Sequence, residues 1–463
     1  MTTPLNRSTF AEQAGRSADA APERIVHIGL GAFHRAHQAW YTDTATDAAD
    51  WGITAYTGRS PKAAEELAAQ DGLYSVLERA VDGDRVSVVG SISRAVDGAR
   101  VDDLVGRLAA TETALVTLTI TEAGYRLTAD GQPDASDEQV ARDIEWLSTN
   151  LTAATVDLSN APGSTLARVL AGLEARRRAG GEPIAIVPCD NMPDNGPLVR
   201  SGLLALAERV SDDLREYVDQ RVSFVSTSVD RITPKTTQED IDAVAALSGF
   251  TDAAPVVTEP FRDWVLSGDF PAGRPAWETS GARFVDDIEP FERRKLWLLN
   301  GAHSLLAYAG TARGHDSVAD AIGDPIAREW VEQFWTEASA HLPEGLDLDS
   351  YRSALLDRFD NGRIQHRLAQ IGMDGVTKLR VRIAPILLAE RAAGRDGDGS
   401  ARALAAWVRA VRAGNVPADR AEEKVKAAAS ESGIAPLLAV VDPNLAADPE
   451  VVSAVEARLA DFA

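Results

Sequence analysis

A short apolar stretch that ends in two closely spaced glycines is the feature that most constrains the fold. The stretch RIVHIG (24–29) predicts a buried β-strand, and Gly31 and a helical pattern to about Ala49 follow it directly. This order is typical of dinucleotide-binding domains, because Gly29 permits a tight turn and Gly31 lets the backbone approach a pyrophosphate. His34 replaces the usual third glycine. We predict a cofactor-binding turn formed by Gly29, Gly31, Ala32, Phe33 and His34.

Further apolar stretches alternate with helical patterns along the first part of the chain. They predict strands at 52–57, 114–120, 183–188 and 222–228. An alternation of this kind predicts an α/β Rossmann-type domain, which we assign to residues 1–284. The polar residues 1–23 before it are expected to form an arm over the surface.

Three of these predicted strands end in polar loops. Glu122 follows the strand 114–120, Asn191 follows 183–188, and Asp230 follows 222–228. In open α/β sheets, ligands lie outside the carboxyl ends of the strands, so we expect these side chains near a bound cofactor or substrate. Each of them taken alone is also a common turn or cap residue.

The second predicted strand is followed by an unusual residue for a dinucleotide-binding domain. NAD-binding domains commonly carry an acidic residue at this point, where it binds the ribose. Here Arg59 follows instead, and it could pack on the adenine or meet a 2′-phosphate. We predict NAD as the cofactor and leave NADP open.

The sequence pattern changes at about Phe284. Beyond it strand signals stop, and amphipathic helical stretches continue to the last residue. We therefore predict an all-α C-terminal domain over residues 285–463.

The stretch PFERRKLWLLNGAHSLLAYAG (290–310) predicts a largely apolar, buried helix that ends at Gly310. At ~100° per residue, Glu292, His303 and Asn300 lie within about 140° of Lys295 on one side of this helix. Burial would lower the pKa of Lys295, so this amine could act as a general base. Asn300 and His303 could then hold a developing alkoxide.

Less specific explanations exist for the same residues. Lys295 could extend its charged end to solvent, while Asn300 and His303 could be core polar residues with satisfied hydrogen bonds. The spacing of these three residues is therefore a weak signal by itself.

Six segments taken together resemble the polyol-specific long-chain dehydrogenases, a family that includes mannitol dehydrogenase and fructuronate reductase. They occur in the family's order and span most of the chain: GLGAFHRAHQ (29–38), QDGLYS (70–75), TLTITEAGY (117–125), PCDNMPDNG (188–196), VDRITP (229–234) and KLWLLNGAHSLLAYAG (295–310). The resemblance implies a metal-free, nicotinamide-dependent oxidation of a secondary alcohol on a linear polyol or sugar acid. It also implies a monomer.

The resemblance assigns roles to individual residues. It implies that Lys295 is the general base and that Asn191 and Asn300 steady the alkoxide. His303 would position the substrate hydroxyls, Asp230 would orient the site, and Glu292 would help to move protons. All six positions carry the expected residue type.

A segment further along, HRLAQIGMDGVTKL (366–379), resembles the fructuronate reductase pattern more than the mannitol 2-dehydrogenase one. The latter commonly has an arginine where Gln370 stands. We predict that His366, Lys378 and Arg382 bind substrate, since the two cations could meet a carboxylate or a phosphate. Mannitol, mannonate, arabinitol and mannitol 1-phosphate all remain candidates, the last as substrate of a mannitol-1-phosphate 5-dehydrogenase.

Composition excludes several other classes of function. A net charge of −23 disfavours nucleic acid and anionic membranes as partners. Cys189 is the single cysteine, so no intrachain disulfide or cysteine-based zinc site can form. His34 and His37 have the spacing of metal ligands but no evident third ligand. With no signal-peptide pattern and no long apolar run, we expect a cytoplasmic enzyme of carbohydrate metabolism.

Two competing classes make different predictions. A non-catalytic nucleotide-sensing protein on the same fold would be expected to have lost Lys295 or Asn300, and both are present. A zinc-dependent alcohol dehydrogenase would lose activity to chelators.

Overall fold

The computed structural model describes residues 2–14 and 19–462. The chain divides into two compact units, one ending at Ile288 and the other beginning at Glu289. The first unit contains a mixture of strands and helices, and the second is helical. The predicted α/β Rossmann-type domain followed by an all-α domain is therefore confirmed.

Within the described residues of the first unit, six parallel strands form the main sheet. They are β1 (Glu23–Ile28), β2 (Gly52–Tyr56), β3 (Ile92–Val96), β4 (Leu115–Leu118), β5 (Ile184–Pro188) and β6 (Val222–Phe224). Their order across the sheet is β3-β2-β1-β4-β5-β6. This is the strand order of the Rossmann fold, with β1 at the centre and the order reversing beside it.

Alternating side chains of these strands enter two separate hydrophobic cores. Ile25 of β1 packs with Trp264 and Trp277 in one core, whereas its neighbour Val26 packs with Leu170 in the other. Because successive strand residues point to opposite faces, a sheet buried on both faces must be apolar at nearly every position. This explains why the predicted strands read as continuous apolar runs.

Helices and smaller sheets complete the first unit. The helices are Arg7–Ala14, Ala32–Ala36, Gln38–Thr44, Lys62–Ala68, Val101–Ala109, Glu122–Tyr125, Glu138–Asn150, Thr165–Arg178, Asn195–Glu208, Asp212–Arg221 and Gln238–Ser248, with 3₁₀ turns at Ala48–Asp50 and Trp277–Ser280. The smaller sheets pair Thr3–Pro4 with Phe250–Thr251, Tyr74–Ala80 with Gly83–Val89 and Val256–Thr258, and Asp263–Ser267 with Ser226–Asp230 and Arg283–Phe284.

The N-terminal segment differs from the predicted surface arm. Thr3–Pro4 pairs with Phe250–Thr251 as a parallel strand, and Leu5 is buried against Leu73 and Phe250. The helix Arg7–Ala14 follows. The segment is polar overall, but Leu5, the strand pairing and the hydrogen bonds from Arg7 to the carbonyls of Gly90 and Ile92 attach it to the domain. Residues 15–18 of the predicted arm lie outside the described residues.

The predicted strand 222–228 is also different, because it breaks at Val225. Its first half, β6, pairs with β5, whereas Ser226–Asp230 leaves the main sheet and pairs with Asp263–Ser267 in the antiparallel direction. Asp230 therefore ends a strand of a separate sheet. The break allows one continuous apolar pattern to serve two sheets.

The second unit is built from helices. They are Glu289–Arg294, Lys295–Gly301, Ala302–Ala312, Val318–Gly323, Pro325–Ser339, Leu348–Phe359, Leu368–Ile371, Gly375–Arg382, Ala384–Ala392, Asp398–Arg412, Glu422–Ala429, Ala435–Val441, Pro443–Ala447 and Pro449–Arg458, with a 3₁₀ turn at Leu459–Phe462. The helix Ala302–Ala312 is buried along residues 302–310 and packs on Asp398–Arg412.

The predicted single helix 290–310 is in fact three segments. Lys295–Gly301 is a π-helix between two α-helical segments. Gly310 does not end the last segment, which continues to Ala312. A Cβ at Gly310 would lie 2.8 Å from Cβ of Ala321 and 2.9 Å from Cδ1 of Leu368, so this glycine permits close helix packing instead.

Gly29 generates the first prediction. Its φ is +112°, and a Cβ there would lie 2.1 Å from the backbone oxygen of Thr119. Gly83 also has a positive φ, +133°, but a Cβ there would meet nothing within 4 Å. We expect Gly29→Ala to lower the free energy of unfolding by about 3–5 kcal/mol, because strain and collision add, and Gly83→Ala by about 1–2 kcal/mol. Urea denaturation of both variants measures the difference, and equal losses would contradict the collision.

Candidate active site

The predicted cofactor turn is held to the neighbouring strand ends by hydrogen bonds. The backbone N–H groups of Gly29 and Leu30 both donate to the carbonyl of Tyr56 at the end of β2. The hydroxyl of Thr119, just past β4, donates to the carbonyl of Gly29 at 2.9 Å. The turn is therefore fixed from both sides at the carboxyl end of the sheet, where the sequence placed it.

His34 is fully buried below this turn. Its ring stacks on that of His27 with centroids 3.3 Å apart, and burial lowers the pKa of both imidazoles. Any contact of His34 with a cofactor would therefore come from its backbone. The third glycine of the usual pattern lets the helix pack closely on the strand. Here His34 stands in its place; the helix Ala32–Ala36 is short, and a second helix starts at Gln38.

The other residues predicted to contact the cofactor are more accessible. Ala32 and Phe33 are half-buried at the start of the helix, and the ring of Phe33 stacks on His37 with centroids 5.0 Å apart. Arg59 is exposed just past β2, and Glu122 is exposed at the start of a short helix after β4. These positions are compatible with ligand contact, and their roles stay predictions.

A buried carboxylate connects the loops that carry Glu122 and Asn191. Asp190 is 6% exposed, and its side chain accepts a hydrogen bond from the backbone N–H of Ile120 at 2.6 Å and another from the hydroxyl of Tyr125. Burial raises the pKa of Asp190 to about 7. The loops after β4 and β5 are therefore held together by one side chain that can change its charge near neutral pH.

A buried amide connects the next pair of segments. The Nδ2 of Asn195 donates to the carbonyls of Asp190 and Thr227, and its Oδ1 accepts from the backbone N–H of Thr227. The hydroxyl of Thr227 donates to the carbonyl of Pro188 at 2.6 Å. Although Ser226–Asp230 has left the main sheet, these bonds keep it attached to the end of β5. Asp230 and Asn191 are thus on segments linked by Asn195.

In the second unit, the π-helix changes the relation between Lys295 and Asn300. Hydrogen bonds of a π-helix join residues five apart, so these two residues lie about one turn from each other. On the α-helix assumed from the sequence they would be separated by about 140°. The π-helix thus brings the amine and the amide to the same side more closely than predicted.

Three contacts from other helices support this wide turn. Nε1 of Trp335 donates to the carbonyl of Leu298 at 2.7 Å, and Nη1 of Arg382 donates to the carbonyl of Asn300 at 3.2 Å. A Cβ at Gly301 would lie 2.6 Å from Cζ of Phe334, so a larger residue could not pack there. The winding of this segment is therefore set by its tertiary neighbours.

Lys295 is half-buried, as are Glu292 and Asn300, so the polar side of this segment is less enclosed than the sequence suggested. The apolar residues Leu296 and Trp297 are half-buried too, and the helix is not buried all round. Leu298 and Leu299 are buried, and every residue from 301 to 310 is buried.

His303 lies among the residues predicted to bind substrate. It is 7% exposed, and its ring lies 4.7 Å from that of His366 and 4.9 Å from that of Phe359, centroid to centroid. Burial, with His366, Arg358, Arg382 and Lys378 nearby, holds its pKa well below the usual value. His303 is therefore a neutral imidazole at physiological pH, suited to hydrogen bonding with hydroxyls.

Several residues of this site were missed by sequence reasoning. Asp190 and Asn195 lie in PCDNMPDNG (188–196), a motif in which only Asn191 was singled out, and Arg358 beside His303 was not singled out at all. The motif itself was the available signal for the first two. No signal indicated Arg358, because its proximity to His303 depends on packing between distant helices.

The described residues contain neither a cluster of metal ligands nor a membrane-spanning helix. No group of three or more histidine, cysteine or acidic side chains within residues 2–14 and 19–462 is arranged to hold a metal ion. Over the same residues, no helix combines the length and apolar character needed to cross a bilayer.

The strand order, the glycine turn and the polar strand ends define a Rossmann-class α/β unit, here followed by a helical unit. Comparison with known families identifies it further. Residues 23–279 match the mannitol dehydrogenase Rossmann domain, and residues 287–463 match the mannitol dehydrogenase C-terminal domain. The chain belongs to the mannitol dehydrogenase family of oxidoreductases, which confirms the resemblance seen in the six motifs.

Individual relatives agree with this assignment. The D-mannonate oxidoreductase of Escherichia coli K12 is 35% identical over 423 residues, which cover 88% of this chain and 84% of that protein. The ternary complex of Pseudomonas fluorescens mannitol 2-dehydrogenase with NAD and D-mannitol is 33% identical, with a TM-score of 0.77 over 99% of this chain and 97% of that one. A substrate-free D-sorbitol dehydrogenase is 27% identical, with a TM-score of 0.83 over 95% of this chain and 96% of that one.

Asp190 generates the second prediction. Its pKa is about 7 in the folded protein and near 3.9 when unfolded, so the folded state holds the extra proton between these pH values. The contribution of this group to stability is therefore greatest at low pH and is lost as pH rises to about 7. Asp190→Asn can keep both hydrogen bonds without titrating. We therefore expect the free energy of unfolding of Asp190→Asn, minus that of the unmodified protein, to rise by about 2–3 kcal/mol between pH 5 and pH 8.

Denaturant unfolding at several pH values measures this change. Asp194 lies on the same loop and is exposed, so Asp194→Asn is the matched control and should follow the unmodified protein at every pH. If the Asp190→Asn and unmodified proteins kept a constant difference from pH 5 to pH 8, Asp190 would not titrate in this range.

Proposed function

We propose that this protein is an NAD-dependent oxidoreductase that interconverts a linear polyol or sugar acid and its keto form. Lys295, rather than a metal-bound group, would accept the proton of the substrate hydroxyl. The observation that carries the proposal is the π-helix Lys295–Gly301, in which an amine and an amide lie about one turn apart, immediately before the buried imidazole of His303. Membership of the mannitol dehydrogenase family, with relatives that act on mannonate and mannitol, supports the same reaction class.

The first unit has the features needed to hold a nicotinamide cofactor. Gly31 is half-buried, and a Cβ there would meet only the carbonyl of Gly29 at 3.5 Å, so the turn leaves its backbone open to a pyrophosphate. Glu122 and Arg59 are exposed beside the ends of β4 and β2. Gly29, Gly31, Ala32, Phe33, Arg59, Glu122 and Asn191 are the proposed cofactor contacts, together with the backbone of His34. When bound, the cofactor supplies the hydride acceptor for alcohol oxidation.

The proposed mechanism assigns a proton path to the second unit. Lys295 in its neutral form takes the proton of the substrate hydroxyl while the hydride leaves the same carbinol carbon. Asn300 donates a hydrogen bond to the developing alkoxide, an effect of about 3–4 kcal/mol per well-placed donor. Neutral His303 orients neighbouring hydroxyls, and Glu292 passes the proton on. In the reverse direction, Lys295 returns the proton to the oxygen.

Two residues of the first unit also have proposed roles in the reaction. We propose that Asn191 donates a second hydrogen bond to the alkoxide and that Asp230 orients the reacting groups. The hydrogen bonds of Asp190 and Asn195 would keep both segments from shifting during turnover. This restraint matters because a catalytic group loses much of its effect when it is misplaced by about 1 Å. His366, Lys378 and Arg382 are the proposed contacts to the remainder of the substrate.

Replacement of the proposed base is the third prediction. We expect Lys295→Ala to lower kcat by about 10²–10⁴-fold, the usual contribution of a general base, while NADH binding followed by fluorescence stays unchanged. A small primary amine added to the assay should partly restore the rate. Lys62→Ala, which removes a lysine whose side chain is 77% exposed, is the matched control. Full activity of Lys295→Ala, or loss of activity in the unmodified enzyme on chelator treatment, would exclude a lysine-based mechanism.

Cofactor preference is the fourth prediction. The NAD-bound relative supports NAD, although Arg59 occupies the place of the usual acidic residue. We expect kcat/KM to be higher with NADH than with NADPH, and Arg59→Ala to reduce the NADPH reaction more strongly, because its guanidinium is the group that would meet a 2′-phosphate. Steady-state rates with both cofactors measure this. A preference for NADPH that Arg59→Ala abolishes would reassign the cofactor.

A further inference from the structure

Basic side chains are concentrated around His303 in the second unit. His366, Arg358, Arg382 and Lys378 all lower the pKa of this imidazole, each acting in the same direction as burial. The ring of His366 lies 4.7 Å from that of His303, centroid to centroid. A buried neutral imidazole among cationic groups is a setting in which an anion would be strongly favoured.

Two of these cations repel each other along one helix. Lys378 and Arg382 lie four residues apart on the helix Gly375–Arg382, a spacing that places both side chains on one face. Arg382 lowers the pKa of Lys378, second only to burial, and burial lowers the pKa of Arg382 to about 10. Like charges at this spacing destabilise a helix unless an anion compensates them.

Within the described residues, neither cation has a carboxylate as an ion-pair partner. Nη1 of Arg382 donates to the carbonyl of Asn300 and to the hydroxyl of Ser304, both at 3.2 Å. Nζ of Lys378 donates to the carbonyl of Ile371 at 2.9 Å. These acceptors are all neutral, and Nε of Arg382 is buried without a partner among the described residues.

Two acidic residues, Asp374 and Asp419, act electrostatically on Lys378. Asp374 and Asp419 raise its pKa, but each does so less than Arg382 lowers it. The side chain of Asp374 accepts from the backbone N–H of Arg420, and that of Asp419 accepts from the backbone N–H of Val376. Within the described residues, neither carboxylate forms an ion pair with Lys378, and Asp374 instead lies 3.8 Å from Nε of Arg420.

We propose that Arg382 and Lys378 bind the terminal carboxylate of the substrate, so that the enzyme acts on open-chain sugar acids rather than on neutral polyols. The inference rests on the proposed function and adds the class of substrate to it. Arg382 reaches the backbone of Asn300, so the carboxylate would be bound beside the residue that contacts the reacting oxygen.

A carboxylate fits this pair better than a phosphate. In the part of the chain that the structure describes, only Nη1 of Arg382 and one donor of Lys378 bind protein oxygens, which leaves Nε and Nη2 of Arg382 as a neighbouring pair of donors on one edge of the guanidinium. A carboxylate has two oxygens that a guanidinium can bind side by side, whereas a phosphate has three oxygens and up to twice the charge.

Three keto sugars that differ only at one end test the proposal. Reduction by NADH, or by NADPH if that cofactor is preferred, is measured with D-fructose, D-fructuronate and D-fructose 6-phosphate. We expect kcat/KM for the acid to exceed that for fructose by at least roughly 10²-fold, and the phosphate ester to react poorly. A single charge-assisted contact contributes about this much to discrimination. Similar rates on fructose and its acid, or preference for the phosphate ester, would overturn the proposal.

Substitutions of Arg382 separate substrate binding from support of the π-helix. We expect Arg382→Gln to raise KM for fructuronate by roughly 10–100-fold with little change in kcat. The KM of Arg382→Lys should lie between that of the unmodified enzyme and that of Arg382→Gln. Arg380→Gln, on an exposed arginine of the same helix, removes one charge outside the cluster and should leave KM unaltered. If Arg382→Gln instead lowered kcat equally for fructose and fructuronate, its role would be structural and the proposal would fail.

A binding measurement covers the case in which no keto sugar reacts. Calorimetric titration of the protein with bound NADH compares D-mannonate with D-mannitol. Tighter binding of mannonate, lost in Arg382→Gln, supports the carboxylate site even if the proposed reaction is wrong. Equal or no binding of the two ligands would overturn it. Turnover of neutral sugars without preference for acids would reject this inference alone and leave the proposed function intact.

Discussion

Two buried side chains, Asp190 and Asn195, hold the carboxyl end of the parallel sheet in one arrangement. Each bridges segments that are far apart in sequence: Asp190 joins the loops after β4 and β5, and Asn195 joins the loop after β5 to Ser226–Asp230. A buried polar atom left unpaired costs about 1–3 kcal/mol, so neither bridge can open without a substantial penalty. These bonds therefore fix the loop after β5 relative to the loop after β4 and to the start of the strand Ser226–Asp230.

A different constraint organises the second unit. The π-helix Lys295–Gly301 is an unusual conformation, and such turns are frequent at functional sites. It persists here because Trp335 and Arg382 donate hydrogen bonds to its carbonyls and Gly301 permits contact with Phe334. Arg382 thus has two contacts of consequence, one to the backbone of the π-helix and one that we assign to the substrate.

The sequence predictions succeeded where a local pattern in the sequence reflects the structure. The strands β1, β2, β4 and β5 and the helical character of the second unit were predicted from the sequence, because burial on both faces of the sheet and helical periodicity leave direct patterns. The edge strand β3 was not predicted. The attachment of Leu5, the break at Val225 and the winding after Lys295 were not predicted. Each of them depends on a neighbour distant in sequence, namely Phe250, Asp263–Ser267 and Trp335.

The candidate site also has features that the sequence predicted and features that it did not. The residue types and their order along the chain were sufficient to identify the family, and with it the residues to consider. The sequence could not indicate that Asp190 would be buried with a raised pKa. Nor could it indicate that Lys378 and Arg382 would lie near His303, with no carboxylate as ion-pair partner among the residues that the structure describes. Local patterns determined the elements and the chemical groups available. Only the tertiary structure decided burial, hydrogen-bond partners and electrostatic neighbours, because these arise from packing between segments that no local pattern relates.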